Sequence, residues 1–155
     1  MTNSCTYNSP IGNLEIFTKD DYIVGVIFDS KNNIPSMQCK ILLDTIKQLD
    51  EYFSGKRKSF DLPLKTCGTA FQEKVWNSLK CVPYGETRTY KEIAIMVGNA
   101  RASRPVGMAN NKNPLPIFIP CHRINGSDGK LVGYAGGLKV KQYLLDLENK
   151  YHEKT

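Results

Sequence analysis

The sequence predicts an α/β domain over residues 1–65, a small sheet with one helix, followed by a mostly helical domain over residues 66–155 that contains a helix-turn-helix. Three observations predict it. Two runs rich in β-branched, aromatic and aliphatic residues lie near the N-terminus. Apolar residues at helical spacing follow them. Past Thr66-Cys67-Gly68 the chain turns to repeated helix-start signals.

The two runs are Leu14 to Thr18 and Tyr22 to Phe28, and Lys19-Asp20-Asp21 between them reads as a hairpin turn. Leu42, Ile46, Leu49 and Phe53 then form one helical stripe, and Gly55 closes the helix as a C-cap. The dense basic stretch Lys56-Arg57-Lys58 reads as a solvated turn after that cap. Asp61-Leu62-Pro63-Leu64 offers a short edge strand, and residues 1–65 hold no catalytic constellation.

Beyond the boundary, Thr69-x-x-Gln72 is a capping box, with Phe71, Val75 and Leu79 on one face and Trp76 beside them, and Pro83-Tyr84-Gly85 ends the helix. A second box, Thr89-x-x-Glu92, opens a short helix through Ile93 and Val97 that Gly98 closes. Ser103 is the expected cap of a third helix running to about Asn111, with Pro105 in its first turn. The last two helices make a helix-turn-helix whose second member carries the small residues Ala102, Ser103, Pro105, Gly107 and Ala109. Such a smooth helix suits close packing inside the protein or close approach to another surface. It lacks the Asn, Gln and Arg array that reads a major groove.

Composition narrows the class. With 155 residues, 41% of them hydrophobic, the chain can bury a core without staples. Five cysteines, Cys5, Cys39, Cys67, Cys81 and Cys121, form an odd set with no C-x-x-C pair, which excludes a disulfide framework or a zinc-finger spacing and fits a reducing compartment. The start MTNSCTYNSPIG has no apolar h-region, and no apolar run is long enough to span a bilayer, so a soluble cytoplasmic protein is expected. A net charge of +6 suits a polyanionic partner, a property shared with many small proteins that bind none.

The chemistry concentrates between Asn113 and Arg123, where Asn-Pro-Leu-Pro-Ile-Phe-Ile-Pro-Cys-His-Arg sets Cys121 beside His122 at the end of an apolar, proline-bracketed run. That placement predicts a thiol and an imidazole near the protein surface. A Cys-His pair alone is weak, because free cysteine is commonly a small core residue. On the last helix Val140, Leu144 and Glu148 form one i, i+4 ridge, so the Glu148 carboxylate continues an inward face.

The eleven-residue run resembles the active-site segment of the O6-alkylguanine-DNA alkyltransferases. The resemblance extends over nearly the whole chain: Tyr52-Phe53-x-Gly55 with Phe60-Asp61-Leu62-Pro63, Gly85-Glu86-x-x-x-Tyr90, Ala102-Ser103-Arg104-x-Val106-Gly107 and Gly133-Tyr134-x-Gly136-Gly137-Leu138, then the helix of Glu148. It implies a ribonuclease-H-like N-terminal domain and a winged-helix-like helix-turn-helix in the C-terminal one. It implies Cys121 as the alkyl acceptor, with His122 and Glu148 as the relay that deprotonates it through a water. A free thiol with a pKa near about 8.5 is only a few per cent thiolate at neutral pH, which is why such a base is needed.

By the same resemblance Tyr90 donates a proton to the departing base, Asn113 fixes the active-site segment, and backbone at Cys121 and Ile124 with the loop Tyr134-Ala135-Gly136 holds the base. Family members often have Ser where this chain has Ala135. Arg104 corresponds to an arginine finger that fills the stack vacated by a flipped nucleotide, and Ala102, Ser103, Pro105 and Gly107 lie along the helix that enters the minor groove. The implied partner is double-stranded DNA containing O6-alkylguanine, extending to O4-alkylthymine, met by a monomer without cofactor in an irreversible, stoichiometric transfer. Some relatives hold a structural zinc ion near the N-terminus; here Cys5 stands at a comparable place, but Lys19, Val24 and the residues near Leu62 stand where the other ligands would be expected and both histidines lie far downstream, so no metal is predicted, and His152 reads as a solvated tail residue. Two rivals remain: a non-enzymatic lesion-binding protein, which Cys121 argues against, and a cysteine hydrolase, for which the helix-borne Cys and distant His are missing.

Overall fold

The computed structural model describes residues 2–36, 39–126 and 133–152. The chain divides into two compact units, Met1–Thr66 and Cys67–Thr155. No helix among the described residues is long and apolar enough to cross a membrane.

The first unit is a three-stranded antiparallel sheet in the order β1 (Thr2–Ser9), β2 (Gly12–Lys19), β3 (Tyr22–Ile27), with helix α1 at Lys40–Phe53. Asp20 and Asp21 both take positive φ, 51° and 65°, the left-handed pair that a two-residue hairpin needs to match strand twist. Strand β1 is absent from the sequence reading. Only Cys5 and Tyr7 of TNSCTYNS are buried, so its period-2 signal is two residues long, yet it pairs with β2 along its length from Thr2↔Lys19 to Ser9↔Gly12.

Helix α1 forms as expected and Gly55 takes φ 79° just past its end. Its inward stripe is Ile41, Leu42, Thr45, Leu49 and Tyr52, rotated from the one expected, with Ile46 and Phe53 only half-buried. Thr45 is tolerated inside because its hydroxyl donates to the Ile41 carbonyl at 2.7 Å. Tyr7 Oη donates to Asp50 Oδ1 at 2.6 Å and so ties β1 to α1. The expected edge strand near Leu64 shrinks to one parallel bridge with Ile23, because Pro63 has no N–H to give.

In the second unit both capping boxes form, at Thr69 with Gln72 for α2 (Ala70–Leu79) and at Thr89 with Glu92 for α3 (Tyr90–Met96). Helix α4 spans Ser103–Asn111, and here the expectation fails: the cap residue is Ala102 and no side chain caps it. Asn99 does the local work instead, its side chain accepting from Arg101 N at 3.1 Å and its carbonyl from Ala102 N at 3.0 Å. Trp76 Nε1 donates to the Ala109 carbonyl at 2.9 Å, locking α2 to α4. A two-residue parallel ladder joins β4 (Arg88–Thr89) to β5 (Ile124–Asn125), and α5 runs Leu138–Tyr151. That ladder brings the start of α3 alongside the segment that follows Cys121.

Candidate active site

The segment before Cys121 is a tight, buried loop. Ile119 N donates to the Leu115 carbonyl at 2.8 Å, and Ile117 takes φ 76°, a region a β-branched residue rarely enters. Such backbone persists only where surroundings over-determine it. Asn113 supplies that restraint: its Nδ2 donates to the Ile119 carbonyl at 2.8 Å while its Oδ1 accepts from Leu115 N at 2.9 Å. One side chain therefore spans the loop, and it also favours the ionised form of the Cys121 sulfur.

Cys121, His122 and Arg123 form a single 3-10 turn. The expectation of a surface thiol and imidazole is corrected: Cys121 is 4% and His122 0% exposed, because the turn is covered by α5 and by the loop it terminates. His122 Nε2 lies 2.7 Å from Glu148 Oε2. Arg123 forks onto the same carboxylate, Nε to Oε1 at 2.8 Å and Nη2 to Oε2 at 3.0 Å, and its Nη1 donates to the Val82 carbonyl at 2.8 Å. Gly85 N adds a longer contact to Oε1 at 3.4 Å. Sequence reasoning placed Glu148 inside, which holds, but gave Arg123 no role.

A second residue escaped it. Lys141 is fully buried, its Nζ donating to the Ile124 carbonyl. The signal was present: Lys141, Leu144 and Glu148 share a face at i, i+3, i+7, but a lysine is read as solvent-facing by default.

The electrostatics follow from this burial. Desolvation pushes the Cys121 thiol up to about 11, against the opposing pull of Asn113, Lys141 and Tyr134. Burial lowers the His122 imidazole below its ordinary range, outweighing Glu148, and the Arg123 and Lys141 cations push the same way. For Glu148 burial would raise the carboxyl, but His122 and Arg123 overcome it and hold it well below the usual carboxylate range. Burial lowers Lys141 to about 8, with the Cys121 charge opposing. The result is a neutral imidazole beside an anionic carboxylate. With Nε2–H donated to Glu148, the basic lone pair lies on Nδ1, which has no other protein partner among the described residues.

Tyr134 and Tyr90 both couple to the thiol. Tyr134 is raised well above its ordinary value by burial and by Cys121, and Tyr90, half-buried at the start of α3, is raised for the same reasons in the same order. Ile124 is buried with its carbonyl engaged by Lys141, while Ala135 is exposed and Gly136 half-buried in the turn before α5. A Cβ added at Gly107 would lie 3.9 Å from the Tyr90 ring. A cavity of about 500 Å³ opens there, lined by Tyr90, Ser103, Arg104, Gly107, Met108 and Gly133 among others. Arg104 and Pro105 are exposed, and Ser103 and Gly107 half-buried, whereas Ala102 is 4% exposed and faces the interior. Met108, which no sequence argument singled out, is 64% exposed on that rim. Among the described residues no cluster of His, Cys, Asp and Glu has the makings of a metal site.

Two family models match the chain: 6-O-methylguanine DNA methyltransferase, ribonuclease-like domain, over residues 4–66, and 6-O-methylguanine DNA methyltransferase, DNA binding domain, over residues 70–150. A constitutive methylated-DNA–protein-cysteine methyltransferase of Bacillus subtilis is 42% identical over 165 aligned residues, covering 99% of this chain and 100% of the relative. A methylated-DNA–protein-cysteine methyltransferase of Methanosarcina barkeri is 60% identical over 109 residues, 70% of this chain and 69% of the relative. Among solved structures, the O6-methylguanine methyltransferase of Mycobacterium tuberculosis superposes with a TM-score of 0.89 at 38% identity, covering 97% of this chain and 94% of that one. A structure of the same organism's protein in complex with DNA gives 0.88 at 39% identity, over 96% and 93% of the two chains.

Proposed function

The chain belongs to the 6-O-methylguanine DNA methyltransferase family, and from that premise we propose that it moves the alkyl group of O6-alkylguanine, and of O4-alkylthymine, in double-stranded DNA irreversibly onto Cys121. Its activity is that of a methylated-DNA–protein-cysteine methyltransferase, and its role is DNA repair by alkyl transfer. The observation that carries the residue assignment is the 2.7 Å contact between His122 Nε2 and Glu148, one residue after a buried cysteine.

Cys121 rests as a thiol, since burial disfavours the thiolate. His122 takes its proton on Nδ1, through a water as the family resemblance implies, and Glu148 stabilises the imidazolium that forms. The sulfur forms a bond to the alkyl carbon as the carbon–O6 bond breaks. The departing guanine would carry negative charge, and Tyr90 gives its phenolic proton to the ring. The protons on His122 and lost from Tyr90 re-equilibrate with solvent afterwards. Asn113, Lys141 and Tyr134 stabilise the developing thiolate, and the thioether product has no route back, so each molecule acts once.

The target atom lies inside a stacked duplex, so the nucleotide is flipped into the cavity beside Tyr90, and the Tyr134-Ala135-Gly136 loop and Ile124 hold the base as the family resemblance implies. Arg104, exposed on the rim, fills the stack, and Ser103, Pro105 and Gly107 let α4 approach the minor groove. The buried side chain of Ala102 takes no part. The β4–β5 ladder beside α3 and α4 supports a winged-helix-like reading of residues 66–155, and residues 1–65 act as a ribonuclease-H-like scaffold. The protein works as a monomer in the cytoplasm. Intact-mass analysis after incubation with O6-methylguanine duplex tests the core of this: one methyl per protein, mapped to Cys121 and absent from Cys121→Ala. Tight binding with unchanged mass would establish the lesion-binding rival instead.

A further inference from the structure

We propose that Arg123 is a positioning residue for the transfer: its forked pair with Glu148 keeps that carboxylate anionic, so that Nδ1 of His122 stays unprotonated and able to receive the Cys121 proton. The proposal rests on the reading of Cys121 and His122 given above. Its ground is geometric. Both oxygens of Glu148 are claimed, Oε1 by Arg123 Nε at 2.8 Å and Oε2 by Arg123 Nη2 at 3.0 Å together with His122 Nε2 at 2.7 Å. The guanidinium is itself held, by the Val82 carbonyl at 2.8 Å and over the Tyr84 ring at 5.7 Å. Arg123 and Glu148 are 8% and 1% exposed, so solvent screens this charge pair poorly.

The proton count shows why the pair matters. A buried imidazole and a buried carboxylate with no cation beside them share one extra proton readily, because holding a lone negative charge in the interior is costly. That extra proton has two places to sit. On the imidazole it makes His122 cationic, with hydrogen on both nitrogens. On the carboxyl it turns Glu148 into a donor to Nε2, which moves the ring hydrogen to Nδ1. In both states Nδ1 carries hydrogen and the base is lost. The Arg123 cation removes the reason for the extra proton, leaving Nε2–H donated to a carboxylate and Nδ1 bare.

Among the described residues the charged and titratable groups around the imidazole and its carboxylate are Cys121 and Arg123 on the same turn, Glu148 and Lys141 from α5, Tyr134 just before α5, and Tyr84, which faces Glu148 and Arg123 from the turn after α2. Lys141 does not substitute for Arg123: its ammonium is bonded to the Ile124 carbonyl and couples to the thiol. Arg123 joins Glu148 as a fork, which a point-charge lysine does not reproduce.

The test is the second-order rate of methyl transfer from an O6-methylguanine duplex, at fixed salt, from about pH 5 to about pH 9. In Arg123→Gln the acid limb of the profile moves up by about one pH unit, so the rate near about pH 6 falls roughly tenfold while the rate near about pH 9 approaches wild type. Arg123→Lys moves it less. Should Arg123→Gln fail to fold, ring ¹⁵N shifts of His122 in wild type and Arg123→Lys give the same answer: unprotonated Nδ1 at neutral pH in wild type, with its protonation midpoint raised in the variant. An unmoved limb in an active variant, or an equal loss at every pH, overturns the role of Arg123. A wild-type protein that never gains a methyl on Cys121 overturns the underlying reading as well, and the two failures are therefore distinct.

Discussion

In the N-terminal unit the interior is hydrocarbon between a sheet and a helix, built from Leu14, Ile16, Ile23, Leu42, Leu49 and Tyr52. Its buried acid, Glu15, stays at the margin, accepting from Ser30 Oγ at 2.8 Å and Asn32 Nδ2 at 2.7 Å. The C-terminal unit encloses His122, Arg123, Lys141 and Glu148 around Cys121, all but Arg123 below 5% exposure. Each buried ion costs several kcal/mol of desolvation unless partners restore it. A chain that only needed a core would repeat the first solution. The second interior is arranged so that one imidazole is neutral, one carboxylate is anionic and one thiol has cations and donors about it. Stability and chemistry are thus carried by different residues, and substitutions should separate them.

The widest separation should come from pairing Glu148→Ala with Leu49→Ala. Removing Glu148 strands a buried Arg123 and an unpaired imidazole, with an expected loss of about 3–5 kcal/mol in urea unfolding and no measurable transfer at neutral pH. Leu49→Ala opens a cavity in a hydrocarbon core and costs about 2–5 kcal/mol. Its folded fraction should transfer methyl at the wild-type rate, because no residue of the Cys121 network lies in that unit. If Leu49→Ala slowed the folded molecules, the division of labour would be wrong.

How far each region was legible in the sequence follows the same division. The hairpin, both capping boxes and the Gly55 and Gly98 stops were readable because they are local: a few adjacent residues decide each. The stripe of α1 was misplaced toward Ile46 and Phe53, since these look as apolar as the Ile41 and Tyr52 that are buried. Strand β1, polar and rich in Asn and Ser, gained its place from pairing with β2, which no local pattern encodes. In the site, Cys121, His122 and Glu148 were found through resemblance and through an i, i+4 ridge, whereas the burial of Lys141 and the fork of Arg123 depend on residues distant in sequence. Ser103 failed as a cap for the opposite reason: the motif was local, but the chain enters α4 one residue early.

Lys141 gives a prediction of intermediate size whose sign is informative. Its pKa falls from 10.5 in the unfolded chain to about 8 in the native state, chiefly through desolvation. Between those values the unfolded chain binds more protons than the native one, so stability rises with pH across that window and the penalty is fully present below it. The shift from 10.5 to about 8 corresponds to at most about 3 kcal/mol. Residual solvation and the lost bond to the Ile124 carbonyl reduce the net effect. Lys141→Met should therefore stabilise the protein by roughly 1–2 kcal/mol at neutral pH and flatten the rise above about pH 8, while slowing transfer because the thiolate loses its cation. Urea unfolding at two pH values, beside single-turnover rates, checks both halves. A destabilised Met variant would make the lysine a brace and place it with the hydrocarbon core in kind.

The smallest effect is expected where the N-terminal unit holds its own local strain. Asp20 and Asp21 occupy φ 51° and 65°, a conformation that L side chains other than Asn and Asp seldom adopt and that costs about 1 kcal/mol per residue. Asp21→Gly removes the Cβ at the second turn position and gives the Asp-Gly pair that such hairpins prefer. Part of the gain is offset, because glycine widens the unfolded ensemble. The net should be a stabilisation of a few tenths to about 1 kcal/mol, visible as a small upward shift of the unfolding midpoint at constant slope. Methyl transfer to Cys121 should not change at any pH. A variant that gained stability and lost rate would couple the hairpin to the site, and the hairpin would then have to be counted with the residues that carry the chemistry.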